Sequence, residues 1–322
     1  MVTPTFDRPA EVAGMLANLA AQTALPDELI LVDGSPPGDL RTEGAVRDAE
    51  DLPFPVTYLR ATGGAALQRN VGIDMASGEF VALIDDDVRL APAFFERILA
   101  AFAQDSEGDT GCIAGCLLNP PRDQLRRFRW AIHKWLGTRR GQLAGTFDWG
   151  SGHIFSRICE DPGEELRRVD VVGSGCAVWR RAVFDQGYRF SPYFHTYSYN
   201  EDFHLALRAG HQWRIFDLGA ARFEHLQARA GRPPAWDGMA HQVINSRFLF
   251  VDLVPARTTS QEARFWGRHG VDLVGRLFLA MARPTGDAWR EASGHAAGMI
   301  RAYRRWPGRR ATSSPSDRSD EI

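Results

Sequence analysis

The residues best equipped for chemistry are three consecutive carboxylates, Asp85-Asp86-Asp87, which follow the apolar run Phe80-Val81-Ala82-Leu83-Ile84. If the backbone stays extended past Ile84, Asp85 and Asp87 share one face, because strand side chains alternate with period two. Two hard oxygen ligands held that way suit Mg²⁺ or Mn²⁺ carrying a diphosphate. A solvated acidic turn accounts for an isolated Asp triplet equally well. Asn200-Glu201-Asp202 sets two more acids at the head of a helical segment, where the helix dipole favours them whether or not they react. Gly173-Ser174-Gly175 lacks dinucleotide-fingerprint spacing and would let backbone approach a ligand closely. Asp33, Arg69 and His225 each also have an ordinary reading: a turn residue, a surface arginine on a helix and a structural histidine.

These groups need elements to hold them. Phe80–Ile84 is short, rich in strand formers and preceded by Ser77-Gly78, so it reads as a buried strand. Leu29–Val32, Val56–Leu59, Cys112–Leu118, Val169–Val172 and Gln212–Phe216 read the same way, and Met1–Phe6 is a very short apolar opening that serves as the first strand. Between them, Pro9 suits a first helical position with Asp7 as cap, and Val12, Leu16, Leu19 and Ala20 recur at helical spacing. Gly63-Gly64 opens a helix carrying Arg69, Asn70 and Gly72, and Pro92 starts another to about Ala103. Alternating strands and helices predict a mostly parallel sheet covered on both faces, with ligands at the edge where the strands end.

The second half changes character. Gln124–Thr138 has helical spacing and carries Arg126, Arg127, Arg129 and Lys134 beside Trp130 and Trp135, with Arg139 and Arg140 following. From about Gly231 the pattern is helical. Phe265–Ala282 sets Trp266, Leu273, Leu277 and Phe278 against Arg264, Arg268 and Arg276, and Trp289–Trp306 ends in Arg301, Arg304 and Arg305. Such basic amphipathic helices either cap the sheet or lie on an anionic membrane surface. Residues after Pro307 have the composition of a disordered tail.

Composition narrows the classes. A net charge of −2 over 322 residues offers no basis for a nucleic-acid partner. Cys112, Cys116, Cys159 and Cys176 form no CxxC pair, which predicts reduced thiols in a cytosolic protein. No signal-peptide pattern opens the chain, and no apolar run reaches the ~20 residues of a membrane span.

Taken in order, Pro4-Thr5-Phe6-Asp7-Arg8-Pro9, Val32-Asp33-Gly34-Ser35, Gln68-Arg69-Asn70-Val71-Gly72, Asp85-Asp86-Asp87, Gly173–Arg181, Asn200-Glu201-Asp202 and His225 resemble the family 2 glycosyltransferases. The resemblance covers roughly residues 1 to 226, and its strength lies in the ordered set. It implies a GT-A fold, an α/β architecture with a mostly parallel central sheet and a C-terminal helical extension. It also implies an inverting transferase that moves a sugar from a nucleotide-diphosphate sugar, with a divalent cation, Mn²⁺ or Mg²⁺. Thr5, Arg8, Asp33, Arg69, Asp85 and Asp86 would then contact the donor. Asp85, Asp87 and His225 would hold the metal. Asp202 would be the base, with Glu201 positioning the acceptor or serving as the alternative base, and Gly175 and Trp179 would line the acceptor.

The implied organisation is a glycosyltransferase domain over 1–226, divided into a donor half (1–118) and an acceptor half (119–226). A helical extension over 227–307 and a tail over 308–322 follow. The expected partners are the donor and a glycan or lipid-linked acceptor. The setting is the cytoplasm, with peripheral contact at the inner face of the plasma membrane. Two departures stand out. The first strand is shorter than the family's, implying further chain upstream or a frayed sheet edge, and Asp33 stands alone where many members have two acids. A sugar-phosphate nucleotidyltransferase would need a Gly-rich basic loop after the first strand, where this chain has Pro-Thr-Phe-Asp-Arg. A non-catalytic glycan-binding protein would not need a base.

Overall fold

The computed structural model describes residues 1–49, 51–119, 144–155, 163–173, 175–195, 199–228, 230 and 234–307. The basic helix expected over Gln124–Thr138, the thiol Cys159 and the tail 308–322 lie outside the described residues.

In chain order the elements are β1 (Val2–Thr5), α1 (Pro9–Ala20), β2 (Leu29–Asp33), α2 (Arg41–Arg47), β3 (Val56–Arg60), α3 (Gly64–Met75), β4 (Phe80–Ile84), β5 (Val88–Leu90), α4 (Phe94–Ala103) and β6 (Thr110–Leu117). Then come β7 (Thr146–Asp148), β8 (His153–Phe155), β9 (Leu166–Arg168), β10 (Cys176–Arg180), α5 (Arg181–Asp185), α6 (Glu201–Ala209), β11 (Arg214–His225), α7 (Ala235–Leu253), α8 (Thr259–Ala282) and α9 (Gly286–Arg305). The described residues fall into two compact units. One is drawn from Met1–Pro121 and Arg157–Gly231, the other from Arg122–Ser156 and Arg232–Ile322.

The first unit is built on one sheet in the order β3-β2-β1-β4-β10-β6-β11-β5, with β9 also paired to β11. β3, β2, β1 and β4 are parallel, and β6 and β11 form a further parallel pair. β10 joins the two parallel groups as an antiparallel strand. On one face Leu29, Leu31, Ala82, Ile84 and Val178 pack with Val12, Met15 and Leu16 of α1 and Phe94, Ile98 and Phe102 of α4. The alternate strand residues Ile30, Val32, Val81 and Leu83 are buried as well, so both faces are covered. This agrees with the fold class read from the sequence.

β1 is neither frayed nor an edge. Its four residues are buried and pair with β2 from Val2↔Ile30 to Thr5↔Asp33, while Val2 also faces Leu83 of β4. α3 lies close on this strand, and a Cβ on Gly72 would collide with the Val2 side chain. Gly72→Ala is therefore expected to cost ~1–3 kcal/mol, the usual range for overpacking. A urea midpoint equal to wild type would contradict that close approach.

One sequence expectation fails here, and one strand stands where none was read. Val169–Val172 is not a strand: the strand is Leu166–Arg168, and Val171 and Val172 are buried in irregular chain. Cys176–Arg180, directly after the glycines, is a central strand, in register with β4 from Cys176↔Ile84 to Arg180↔Phe80. Hydrophobic runs report burial, and burial does not require ladder pairing.

The second unit holds the β7–β8 hairpin and helices α7, α8 and α9. α8 begins at a capping box in which Gln261 N–H donates to Thr258 Oγ1 and Thr258 N–H to Gln261 Oε1. Phe250 and Phe265 stack at 5.2 Å, and the buried Arg247 pairs with Glu262 at 2.8 Å. Arg268 and Arg276, set against the apolar residues of this helix in the sequence pattern, are engaged within the unit. Arg268 is buried against His153, and Arg276 pairs with Glu291 at 2.7 Å. Among the described residues no helix is long and apolar enough to cross a membrane.

Candidate active site

The three carboxylates do not continue the strand. After β4 the backbone turns, with Val88 N–H donating to the Asp85 carbonyl at 3.2 Å, and β5 then runs antiparallel to β11. That pairing sets Val88 opposite His225 and brings the imidazole to the acidic turn, with His225 Nε2 3.0 Å from Asp87 Oδ1. Asp87 Oδ2 accepts from the Ala228 N–H at 2.9 Å, and the Asp87 carbonyl accepts from Leu226 N–H at 2.8 Å. Burial alone would raise the Asp87 carboxyl. The His225 ring, the Arg8 guanidinium and the Ala228 N–H outweigh it and leave it below its ordinary value.

Asp85, Asp87 and His225 each offer a ligand atom within 4.8 Å of the others. Two carboxylates and one imidazole suit a hard or borderline divalent cation such as Mn²⁺ or Mg²⁺. The turn thus brings together what strand alternation was expected to align.

Asp86 points the other way. Its Oδ2 accepts from Thr5 Oγ1 at 2.6 Å and its Oδ1 from Arg8 Nη1 at 2.8 Å. Burial pushes its carboxyl up to about 6 even with these donors in place. Arg8 also donates to the Ala230 carbonyl through Nε and Nη2, and lies 3.6 Å from Asp87. Thr5, Arg8 and Asp86, expected as donor contacts, are therefore engaged with one another, fixing the acidic turn to the end of β1. Asp33 is likewise buried at the end of β2, its oxygens accepting from Tyr58 Oη at 2.6 Å and Ser35 N–H at 2.8 Å.

Arg69 is not a surface arginine. It is buried on α3, with Nη2 donating to Asp85 Oδ1 at 2.6 Å and Nη1 to Glu201 Oε1 at 3.1 Å. Its guanidinium also stacks 5.6 Å from the Phe190 ring, which Asn70 clamps by reciprocal bonds to the Phe190 backbone. Burial opposes the Arg69 charge, but Asp85 and Glu201 outweigh it and raise its pKa. Burial raises the Glu201 carboxyl against the pull of Arg69. One guanidinium thus ties the acidic turn to the head of α6.

α6 begins after Asn200, whose φ of 70° lies in the left-handed region. Asn tolerates that conformation better than most side chains. It turns the chain so that Glu201 and Asp202 occupy the first helical turn. Glu201 is buried against Arg69. Asp202 is only half-buried, and its Oδ1 accepts from the Phe203 N–H at 2.8 Å. Asn200→Gly should be tolerated, whereas Asn200→Val should cost ~1–2 kcal/mol. Equal thermal midpoints for the two would contradict this reading of the turn.

Gly175 sits beside Asp85. Its carbonyl accepts from the Asp85 N–H at 3.0 Å, and a Cβ there would come within 2.9 Å of Asp85 Oδ2. Trp179 is a correction. It is fully buried in β10 with its ring 5.9 Å from Phe184, so no surface remains through which it could meet an acceptor.

Sequence reasoning missed Tyr58, which holds Asp33, and Gln68, whose Nε2 donates to the Thr5 and Val32 carbonyls at 2.9 and 3.0 Å. The signal for Gln68 was available: a polar residue on the buried face of α3, one position before Arg69.

Residues 1–159 match the family described as "Glycosyl transferase family 2". A glycosyltransferase of Haemophilus influenzae is 34% identical over 107 residues, 33% of this chain and 34% of the relative. The chain spans about a third of the length of the curated relatives it matches. Among solved structures, a mannosyltransferase from Pyrobaculum calidifontis in complex with GDP-Man and Mn²⁺ superposes with a TM-score of 0.55 at 16% identity, over 96% of this chain and 87% of that one. GalNAc-T7 with UDP, GalNAc and Mn²⁺ gives 0.57 at 15% identity, over 82% and 49%. These likenesses establish the GT-A type of fold. Residues 1–159, which carry the acidic turn and the parallel strands that lead to it, thus match glycosyltransferase family 2.

Proposed function

We propose that the protein transfers a sugar, with inversion, from a nucleotide-diphosphate sugar to a hydroxyl of a cell-envelope glycan or lipid-linked acceptor. The observation that carries this reading is Arg69, which bridges Asp85 of the acidic turn to Glu201 beside Asp202. Metal-binding and proton-accepting groups are thereby held on opposite sides of one buried cation. That the mannosyltransferase and GalNAc-T7 structures contain Mn²⁺ with GDP-Man or UDP supports the same reading.

Asp85, Asp87 and His225 would hold the divalent cation, which when bound supplies Lewis-acid neutralisation of the charge gathering on the departing diphosphate. The chain's own groups do the rest. Arg8 and Thr5 keep Asp86 turned inward, so that Asp85 and Asp87 present their oxygens on the other side of the turn. Asp202, the more exposed of the two acids on α6, takes the proton from the acceptor hydroxyl as it attacks the anomeric carbon. Glu201, committed to Arg69, positions that helix and is the poorer base. The bond to the leaving diphosphate breaks as the new glycosidic bond forms on the opposite face, which inverts the anomeric centre. The donor is served mainly by residues 1–118 and the acceptor by 119–226.

The test is the anomeric configuration of the product, read by proton NMR with a donor that supports turnover. Inversion is expected. Retention would overturn the assignment of Asp202 as the base of a single in-line displacement.

A further inference from the structure

His225 is the last residue of β11, so its ring goes where the end of that strand is held. On one side the strand pairs with β5, His225 opposite Val88, and the next residue, Leu226, donates its N–H to the Asp87 carbonyl at 2.8 Å. Both restraints come from the acidic turn or from the short strand leaving it. On the other side β11 runs parallel to β6, in register at Arg222↔Cys116 and Phe223↔Leu117, and Leu118 N–H donates to the Phe223 carbonyl at 2.8 Å. The main-chain ladder has little left to give beyond that point. Pro120 and Pro121 follow, and proline has no N–H to offer.

A side chain carries the ladder one rung further. Asn119 Oδ1 accepts from the His225 N–H at 2.9 Å, and Asn119 Nδ2 donates to the His225 carbonyl at 3.1 Å. A side-chain amide holds an acceptor and a donor side by side, so it can stand in for the main chain of a longer β6. Asn70 holds the Phe190 backbone by the same reciprocal pair, both bonds at 2.9 Å. The Asn119 pair ties the His225 backbone to the central sheet independently of the carboxylate that its ring faces, Asp87 Oδ1 at 3.0 Å. We propose that Asn119 is a positioning residue for the cation site, fixing the point and direction from which the His225 imidazole enters it. The inference rests on the reading of Asp85, Asp87 and His225 as cation ligands. Asn119 is exposed, so water can satisfy both backbone groups when the amide is removed, and the fold should stand.

The test is a Mn²⁺ titration of the full chain, followed by the electron paramagnetic resonance signal of the free ion. It compares wild type, Asn119→Ala, His225→Ala and the double variant. Asn119→Ala should bind Mn²⁺ ~10-fold more weakly than wild type, the lower end of the usual range for a group that supports a metal ligand. Its metal-free melting temperature should stay near that of wild type. His225→Ala should lose at least as much affinity. Adding Asn119→Ala to His225→Ala should weaken binding no further, because no imidazole is left to place. Three results would overturn the proposal and leave the cation site standing: Asn119→Ala that binds Mn²⁺ as wild type does, losses that multiply in the double variant, or a marked fall in the metal-free melting temperature of Asn119→Ala. Wild type that binds no Mn²⁺, or His225→Ala that binds it equally well, would overturn the cation reading and this inference with it.

Discussion

Asp202→Asn is expected to slow sugar transfer by ~10²–10⁴-fold while leaving the donor nucleotide bound as in wild type, the range lost when a general base is removed. The change is nearly isosteric. The amide oxygen can still accept from the Phe203 N–H, so the first turn of α6 should stand. What goes is the ability to take a proton. Glu201 provides the contrast. Its carboxylate is buried and shared with Arg69, and breaking a buried pair by removing one partner typically costs ~3–5 kcal/mol. Glu201→Ala should therefore lower the melting temperature and disturb Asp85 through Arg69, affecting donor binding and turnover together. Asp202→Asn should touch turnover alone. Equal loss of binding and turnover in Asp202→Asn, or a nearly active Asp202→Asn beside a stable but inactive Glu201→Gln, would move the base to Glu201 or remove it from this helix.

The second large effect is expected at Asp87. Removing even an outer partner of a metal ligand commonly costs ~10–100-fold in metal affinity, and Asp87 is placed to be a ligand itself. Asp87→Asn should thus lose at least that much of the metal-dependent part of nucleotide affinity. The Asn variant is preferable to Ala, because the amide oxygen can still accept from Ala228 N–H and the buried site keeps its volume. Nucleotide affinity measured by calorimetry with and without Mn²⁺ separates the two contributions. An Asp87→Asn protein whose Mn²⁺ titration matches wild type would reject the metal role of this turn.

Much of the first unit's sheet was legible because it is written in continuous apolar runs. Leu29–Val32 and Phe80–Ile84 are buried on both faces, so they read as interior strands without knowledge of their neighbours. The three-residue strands β5, β7, β8 and β9 and the seven-residue α2 were not legible, since each is too short for periodicity to register. The site was legible as residue types and less so as roles. Asp85, Asp87 and His225 converge, but through a turn and a cross-sheet pairing of β5 with β11 that local sequence does not encode. Arg69 was expected near the nucleotide and proves to be a buried tie between two acids, because helix position alone does not reveal which face is covered. Trp179 was expected to line the acceptor and is core.

The most direct test of the central claim is a thermal-shift panel with UDP, dTDP, GDP and CMP, each with and without Mn²⁺ or Mg²⁺. A ligand that binds only the folded state adds ~2.7 kcal/mol of stability at a hundredfold excess over its dissociation constant. The account predicts a clear rise in melting temperature with one nucleoside diphosphate, present with the cation, lost with chelator and lost in Asp87→Asn. No rise with any nucleotide, from protein shown to be folded, or a rise indifferent to both cation and Asp87, would contradict it.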